Sequence, residues 1–314
     1  MISFSGAYTA LVTPFSLDGT SVDGERLASN IRLQAEGGVR GVVPCGTTGE
    51  APTLTESEHA SVVETTVATA AGLGLQVIAG AGSNSTAHAI HLHRLVASLG
   101  AHASLQVSPY YNKPSQEGLF RHFMAIADSA DLPIMLYNIP GRSAVTMTPE
   151  TVERLASHPN IVAIKEATGS MDSASEIRKR CAITILSGDD SLTAAFAAVG
   201  AVGVVSVVSN LVPHMVARLC RDIAGGDLLA IRKTHESLFP LSRGLLSLDV
   251  NPVPLKYAME LLGRDSGALR LPLVRLAESG RASVASLLAA VGISGGPTIG
   301  ATSAASASPV GIGS

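Results

Sequence analysis

LTAAFAAVGAVGVVSVV, residues 192–208, is the stretch on which the reading of the fold turns. It carries no charge and nearly reaches the ~20 apolar residues that cross a bilayer. Gly200 and Gly203 divide it. The part before Gly200 is Ala-rich and suits a helix, whereas GVVSVV after it is β-branched and suits a strand buried on both faces. The stretch therefore predicts a helix, a turn and a buried strand rather than a membrane span.

The same unit repeats on the N-terminal side. Short apolar, β-branched runs at 7–13, 39–44, 76–80, 104–108, 134–137, 161–165, 183–187 and 204–207 alternate with helical patterns. The helical patterns cover 24–36, 57–71, 87–99, 116–129, 149–157, 171–180 and 191–199. Eight β-α units predict a parallel sheet, and closure into a (β/α)8 TIM barrel is the economical arrangement. An open doubly wound sheet would more often place a Gly-rich turn after its first strand, and Thr13-Pro14-Phe15 is not one. Beyond the last strand the patterns are helical only, at 213–224, 228–248, 254–262 and 272–290, with prolines suited to first helical turns. The expected division is a barrel over 1–224, a C-terminal helical unit over 225–293, and a disordered tail over 294–314 that lacks charge and periodicity.

Composition narrows the function classes. Hydrophobic residues make up 46 %, enough for a sizeable core, and a net charge of −3 with no basic run gives no reason to expect nucleic acid or an anionic membrane as partner. Cys45, Cys181 and Cys220 are odd in number and widely spaced. They fit a reduced, cytoplasmic protein better than a disulfide framework or a zinc site. The first residues show no basic and apolar pattern of a signal peptide.

In barrels, chemistry gathers on the loops at the C-terminal ends of the strands. Polar residues cluster there: Gly46-Thr47-Thr48-Gly49-Glu50 after the second strand, Pro109-Tyr110-Tyr111-Asn112 after the fourth, Tyr137-Asn138-Ile139-Pro140-Gly141-Arg142 at the fifth. Lys165 ends the sixth, and Ser187-Gly188-Asp189-Asp190 the seventh. Burying an ammonium costs desolvation and favours the neutral amine, which attacks a ketone to form an imine. Lys165 fits that chemistry, or else a rim pair with Glu166. Tyr137 suits a proton shuttle or plain packing. Thr47 and Thr48, in a Gly-flanked turn, suit carboxylate binding or an ordinary helix cap. Arg142, on a loop, suits a second carboxylate or a solvated surface. Each is ambiguous alone; together they mark one end of the barrel.

The motifs GTTGE (46–50), PYYNKPSQEG (109–118), YNIPGR (137–142), IKEATG (164–169), LSGDD (186–190) and NPVPLK (251–256) closely resemble the dihydrodipicolinate synthase (4-hydroxy-tetrahydrodipicolinate synthase) family, over roughly residues 4–290. That family lies within the pyruvate-dependent class I aldolases that include N-acetylneuraminate lyase. The resemblance implies a Schiff base between Lys165 and pyruvate, condensation with L-aspartate 4-semialdehyde, and neither metal nor organic cofactor. It implies a proton relay of Tyr137, Thr47 and Tyr111, with Tyr111 entering the neighbouring subunit's site in a homotetramer built as a dimer of dimers. It further implies that the backbone at Thr47 and Thr48 holds the pyruvate carboxylate and Arg142 the carboxylate of the semialdehyde. Gly188 and Val205 would line the pocket, Val205 standing where isoleucine is common.

Sialic acid lyases and other keto-sugar-acid aldolases resemble the chain at Tyr137 and Lys165. They usually carry serine at the place of Thr47 and lack an arginine at that of Arg142, so Thr47, Tyr111 and Arg142 favour the synthase. A pyruvate-binding relative without turnover would not be expected to keep Lys165, Tyr137, Thr47 and Tyr111. Lysine-sensitive members bind lysine near the tyrosine pair. His59, Asn84 and Tyr110 match that site, while Glu56 stands where a histidine, and His88 where a glutamate, is common, which implies weak inhibition or none. His88, His91 and His93 invite a metal site, but the third faces away from the other two on a helix. Cys45, before the GTTGE turn, reads as a small core residue.

Overall fold

A computed structural model describes residues 4–293, so the tail expected over 294–314 lies outside the described residues. Strands and helices alternate in the order β1 (Gly6–Ala10), α1 (Gly24–Glu36), β2 (Gly41–Val43), α2 (Glu56–Ala71), β3 (Gln76–Gly80), α3 (Thr86–Ser98), β4 (Ala103–Val107) and α4 (Gln116–Ala127). There follow β5 (Ile134–Asn138), α5 (Pro140–Ser143), α6 (Pro149–Leu155), β6 (Ile161–Glu166), α7 (Met171–Arg180), β7 (Thr184–Ser187), α8 (Thr193–Ala198) and β8 (Gly203–Ser206). Four helices close the described chain: α9 (Pro213–Gly225), α10 (Leu228–Leu248), α11 (Val253–Leu261) and α12 (Glu278–Ala290). The helices start where the sequence supplies a side-chain acceptor for an orphan N–H. Asp23, Thr55, Ser85, Ser115, Thr148 and Ser170 each cap one. Thr55 and Glu58 do so reciprocally. Losing such a cap costs about 1 kcal/mol.

The eight strands pair in sequence order, all parallel, and β8 returns to β1 through Gly6↔Gly203 to Thr9↔Ser206, closing the barrel. A Cβ at Gly203 would run into the backbone of Gly6, so the seam needs glycine there. Residues 192–208 form α8, a turn with Gly200 at φ 106° and β8; among the described residues no helix is long and apolar enough to cross a membrane.

Alternation along the strands makes two apolar layers. On β5, Met135 and Tyr137 belong to the barrel interior, whereas Ile134 and Leu136 pack outward with Phe123 of α4, Leu155 of α6 and Ile177 of α7. β6 carries one residue more than β5 at this point: Ile134 pairs with Ile161, but Met135 pairs with Ala163. The extra residue, Val162, sends both Ile161 and Ile164 to the helix layer and leaves Ala163 and Lys165 facing inward. Tyr137, Lys165 and Leu186 then stand at one level across three strands.

α9 packs on β1, β8 and α1, and α10 lies across α9 and α8, with α11 and α12 against it. The helix expected over 272–290 begins only at Glu278, and Pro272 does not start it. The preceding segment is pinned at both ends by arginines. Arg270 donates from its backbone to Glu50 and from its side chain to Glu58 and to the carbonyls of Gly19, Thr20 and Thr53. Arg275 reaches Glu260 and the Ser266 carbonyl. Those anchors hold the chain open where a helix would shorten it.

Candidate active site

The turn after β2 is built from its own backbone. The N–H groups of Gly49 and Ala51 donate to the Gly46 carbonyl at 3.1 and 3.3 Å, and that of Glu50 to the Thr47 carbonyl at 3.1 Å. Among the described residues the N–H groups of Thr47 and Thr48 have no acceptor, so both are available to an anion. The Thr48 hydroxyl is buried and accepts from Asn251 Nδ2 at 2.9 Å.

Lys165 reaches the same end of the barrel from β6. It is 5 % exposed, and its Nζ lies 4.1 Å above the centroid of the Tyr137 ring, an arrangement the ring's quadrupole stabilises. The alternative rim pair with Glu166 does not form. Glu166 points to the other face of the sheet, where its carboxylate accepts from the Thr168 N–H at 2.8 Å and from Asn138 Nδ2 at 3.2 Å. Burial, the largest influence on Glu166, pushes its carboxyl above the usual range. Gly188 makes room for the lysine stem: a Cβ there would lie 2.7 Å from Ala167 Cβ and 3.1 Å from Lys165 Cγ. Its N–H donates to the Glu166 carbonyl at 2.7 Å.

Arg142 stands at the mouth. The sequence suggests a loop here; the structure has the one-turn helix α5, since Pro140 presets the first helical position. Arg142 is exposed, and its Nη2 donates to the Asn251 carbonyl at 3.2 Å. Thr47, Thr48, Tyr137, Arg142, Lys165 and Gly188 line one cavity of about 170 Å³. Its remaining wall includes Asn251, Asp190 and Val207.

Two expected site residues are not part of that wall. Val205 faces inward from β8, paired with Tyr8 and buried, but the wall on that side is Val207. Tyr111 is 90 % exposed at φ 75° and does not line its own chain's cavity. Its loop is held from both sides, by Asn84 Nδ2 donating to the Tyr110 carbonyl at 3.2 Å and by Asn112 Nδ2 donating to the Asn84 carbonyl at 2.9 Å.

A larger cavity of about 530 Å³ opens beside the first and shares Thr47, Tyr137, Ile139 and Arg142 with it. Glu56, His59, His88 and Tyr110 line it, while Asn84 supports it from behind. His59 Nε2 lies 2.8 Å from the Gly80 carbonyl and therefore carries the proton, which leaves Nδ1 buried without a partner. Burial lowers the pKa of His59, the Gly80 bond opposing it only in part. Glu56 is engaged by His91 Nε2 at 3.0 Å. His88 and His91 stack on one face of α3, while His93 turns to the core and accepts or donates at Ser104. Among the described residues no group of three His, Cys, Asp or Glu is placed to hold a metal. Cys45 is 3 % exposed, and burial raises its thiol pKa.

The sequence motifs contain Asn251 and Asp190 but assign neither a role. Asn251 was visible only as the first letter of NPVPLK. Asp190 is buried, its carboxyl pushed up by desolvation, and it accepts from the N–H groups of Val207 and Val208 at 2.8 and 3.2 Å, tying the end of β7 to the turn after β8. No local pattern distinguishes it from its neighbour Asp189.

The chain matches the Dihydrodipicolinate synthetase family over residues 3–291. It is 50 % identical over 292 residues to the 4-hydroxy-tetrahydrodipicolinate synthase of Pelobacter propionicus, covering 92 % of this chain and 99 % of that one. Among solved structures it resembles the DHDPS from Cyanidioschyzon merolae with lysine bound, with TM-score 0.89, 41 % identity, and coverage of 92 % of this chain and 98 % of that one. It also resembles the chloride-inhibited dihydrodipicolinate synthase from Acinetobacter baumannii complexed with pyruvate, with TM-score 0.89, 37 % identity, and coverage of 93 % and 100 %. The (β/α)8 barrel, the buried lysine at its C-terminal mouth and these matches agree, and the chain belongs to the dihydrodipicolinate synthetase family.

Proposed function

We propose that this enzyme condenses pyruvate with L-aspartate 4-semialdehyde to give 4-hydroxy-tetrahydrodipicolinate, a step of lysine and diaminopimelate biosynthesis, through an imine on Lys165. The observation that carries the reading is the buried Lys165 amine against Tyr137, in the cavity that Thr47 and Thr48 also line and where their N–H groups are unpaired among the described residues. The pyruvate carboxylate binds those N–H groups, and its ketone meets the lysine amine. Loss of water gives the imine, with Tyr137 and Thr47 carrying protons. Loss of a methyl proton gives the enamine, whose carbon attacks the aldehyde. Arg142 holds the carboxylate of the semialdehyde at the mouth. The substrate's own amine then displaces Lys165 and closes the ring. The steps draw on the Lys165 amine, the hydroxyls, the backbone N–H groups, the Arg142 guanidinium and the substrate's own amine.

Tyr111 serves the relay of a second copy in this proposal, within a homotetramer of two tight dimers. Its exposure on a loop locked by Asn84 supports that role. We place the enzyme in the cytoplasm, in keeping with its three unpaired cysteines. The deciding experiment offers pyruvate with L-aspartate semialdehyde in one assay and with N-acetylmannosamine in another. Turnover is expected in the first alone; turnover only in the second would assign the chain to the sialic acid lyases.

The larger cavity leads to a second prediction. A glutamate at the place of His88 would pair with the ammonium groups of lysine, whereas an imidazole offers them no anionic partner. Glu56 is already engaged by His91. Losing one desolvated charge partner costs about 2–5 kcal/mol. Titrating the initial rate with L-lysine at fixed pyruvate is expected to show little inhibition. Half-inhibition below ~1 mM, about −4.1 kcal/mol of binding, would show the effector site intact.

A further inference from the structure

Outside the cavity, Glu50 and Lys256 form an ion pair in which both side chains are fully buried. Lys256 Nζ donates to Glu50 Oε1 at 2.7 Å, to the Thr13 carbonyl at 3.0 Å and to the Ala268 carbonyl at 2.8 Å, which uses all three of its protons. It also lies 4.2 Å from the centroid of the Phe15 ring. The other oxygen of Glu50 accepts from the Arg270 N–H at 3.1 Å. Such a pair gives little net stability over an apolar replacement of similar volume, because desolvation offsets the Coulombic attraction. Its value lies in geometry, and what it sets is the turn after β2.

Glu50 is the last residue of that turn and is held at φ 53°, a left-handed backbone conformation that a non-glycine residue adopts at a cost. Its N–H closes the turn on the Thr47 carbonyl, and its carbonyl accepts from the N–H and hydroxyl of Thr53. Thr13 grips the preceding residue, its hydroxyl donating to the Gly49 carbonyl at 2.8 Å while its own carbonyl accepts from Lys256. The segment that carries Lys256 also reaches the other side of the turn, since Asn251 donates to Thr48 and accepts from Arg142. The segment from Asn251 to Lys256 thus grips the turn at Thr48 and at Glu50.

We propose that the Glu50–Lys256 pair is a positioning clamp: it sets the pose of Thr47 and Thr48 relative to Lys165, and so makes α11 part of the machinery that binds the keto acid. This rests on the pyruvate-imine reading for its kinetic consequence, but not for the structural one. A shift of about 1 Å in a positioning element costs on the order of 100-fold in rate.

The test compares the parent with the charge-free pair K256M/E50L and with E50D, which keeps the ion pair but shortens the reach. Three quantities are read in each: melting temperature, kcat and KM for pyruvate, and hydrogen exchange of the peptide containing residues 46–53. The expected result for K256M/E50L is a lowered melting temperature, because the Thr13 and Ala268 carbonyls and the Arg270 N–H lose their partners, together with a pyruvate kcat/KM lower by about 10- to 100-fold and faster exchange in that peptide. Parent kcat/KM and parent exchange in the folded variant would overturn the clamp and leave the pair a packing feature. If K256M/E50L fails to fold, E50D decides, since parent-like kinetics and exchange in E50D would overturn the proposal equally. A parent protein that forms no trapped pyruvate adduct would sink the imine reading, while the exchange measurement would still decide the clamp.

Discussion

Lys165→Ala is expected to abolish covalent capture of pyruvate. Borohydride added to the parent with pyruvate should reduce the imine and leave a pyruvate-derived mass on the peptide containing Lys165. The variant should show none, and its turnover should fall by ~10⁴-fold or more, the scale on which enzymes lose activity with their covalent nucleophile. The fold should survive. Lys165 makes its close contact with the Tyr137 ring, and replacing a buried amine by a methyl group leaves no carboxylate stranded, because Glu166 is bonded to Thr168 and Asn138 instead. An adduct on Lys256 or Lys113 would refute the assignment. Lys256 is an informative control, because it is as buried as Lys165 yet spends all its protons on Glu50, Thr13 and Ala268.

Arg142→Ala is expected to separate the two substrates. Arg142 sits at the mouth on α5, and among the described residues its guanidinium makes one hydrogen bond, to the Asn251 carbonyl. Removing it should leave the imine with pyruvate intact, as seen by borohydride trapping. It should lower kcat/KM for the semialdehyde by about 10- to 100-fold, the roughly 1.5–3 kcal/mol of a charge-assisted contact. Arg142→Lys should recover little, because an ammonium cannot grip a carboxylate through two parallel donors. Equal loss of trapping and turnover in Arg142→Ala would mean that the guanidinium supports the Asn251 segment and does not bind substrate.

What was legible in the sequence was whatever is decided within a few residues. Helix starts follow from a side-chain oxygen three positions before the N–H it accepts, so Asp23, Ser115 and Ser170 mark α1, α4 and α7 directly. The strands are apolar runs because both faces are buried, and Gly200 divides helix from strand in 192–208 because it turns at a positive φ. The candidate site residues could be placed at strand ends by the same local reasoning, and the six motifs then joined the chain to one family.

Other features depended on parts of the chain that are remote in sequence. The bulge at Val162, which puts Lys165 level with Tyr137, is a matter of pairing between two strands and has no local mark. Asn251 reaches Thr48 across 203 residues, and Lys256 reaches Glu50 across 206. Pro272 looked like a helix start, but Arg270 and Arg275 hold its segment open from groups on α2, α11 and the turn after β2. The sequence by itself determined the eight β-α units, their caps and the residue types at the barrel mouth, because hydrogen bonding and alternation act over one to four positions. Only the tertiary structure decided that closure of the ring brings the C-terminal helices over the turn that holds Thr47 and Thr48. A side chain's partner across 200 residues is set by the path of the backbone, which packing of the whole chain selects.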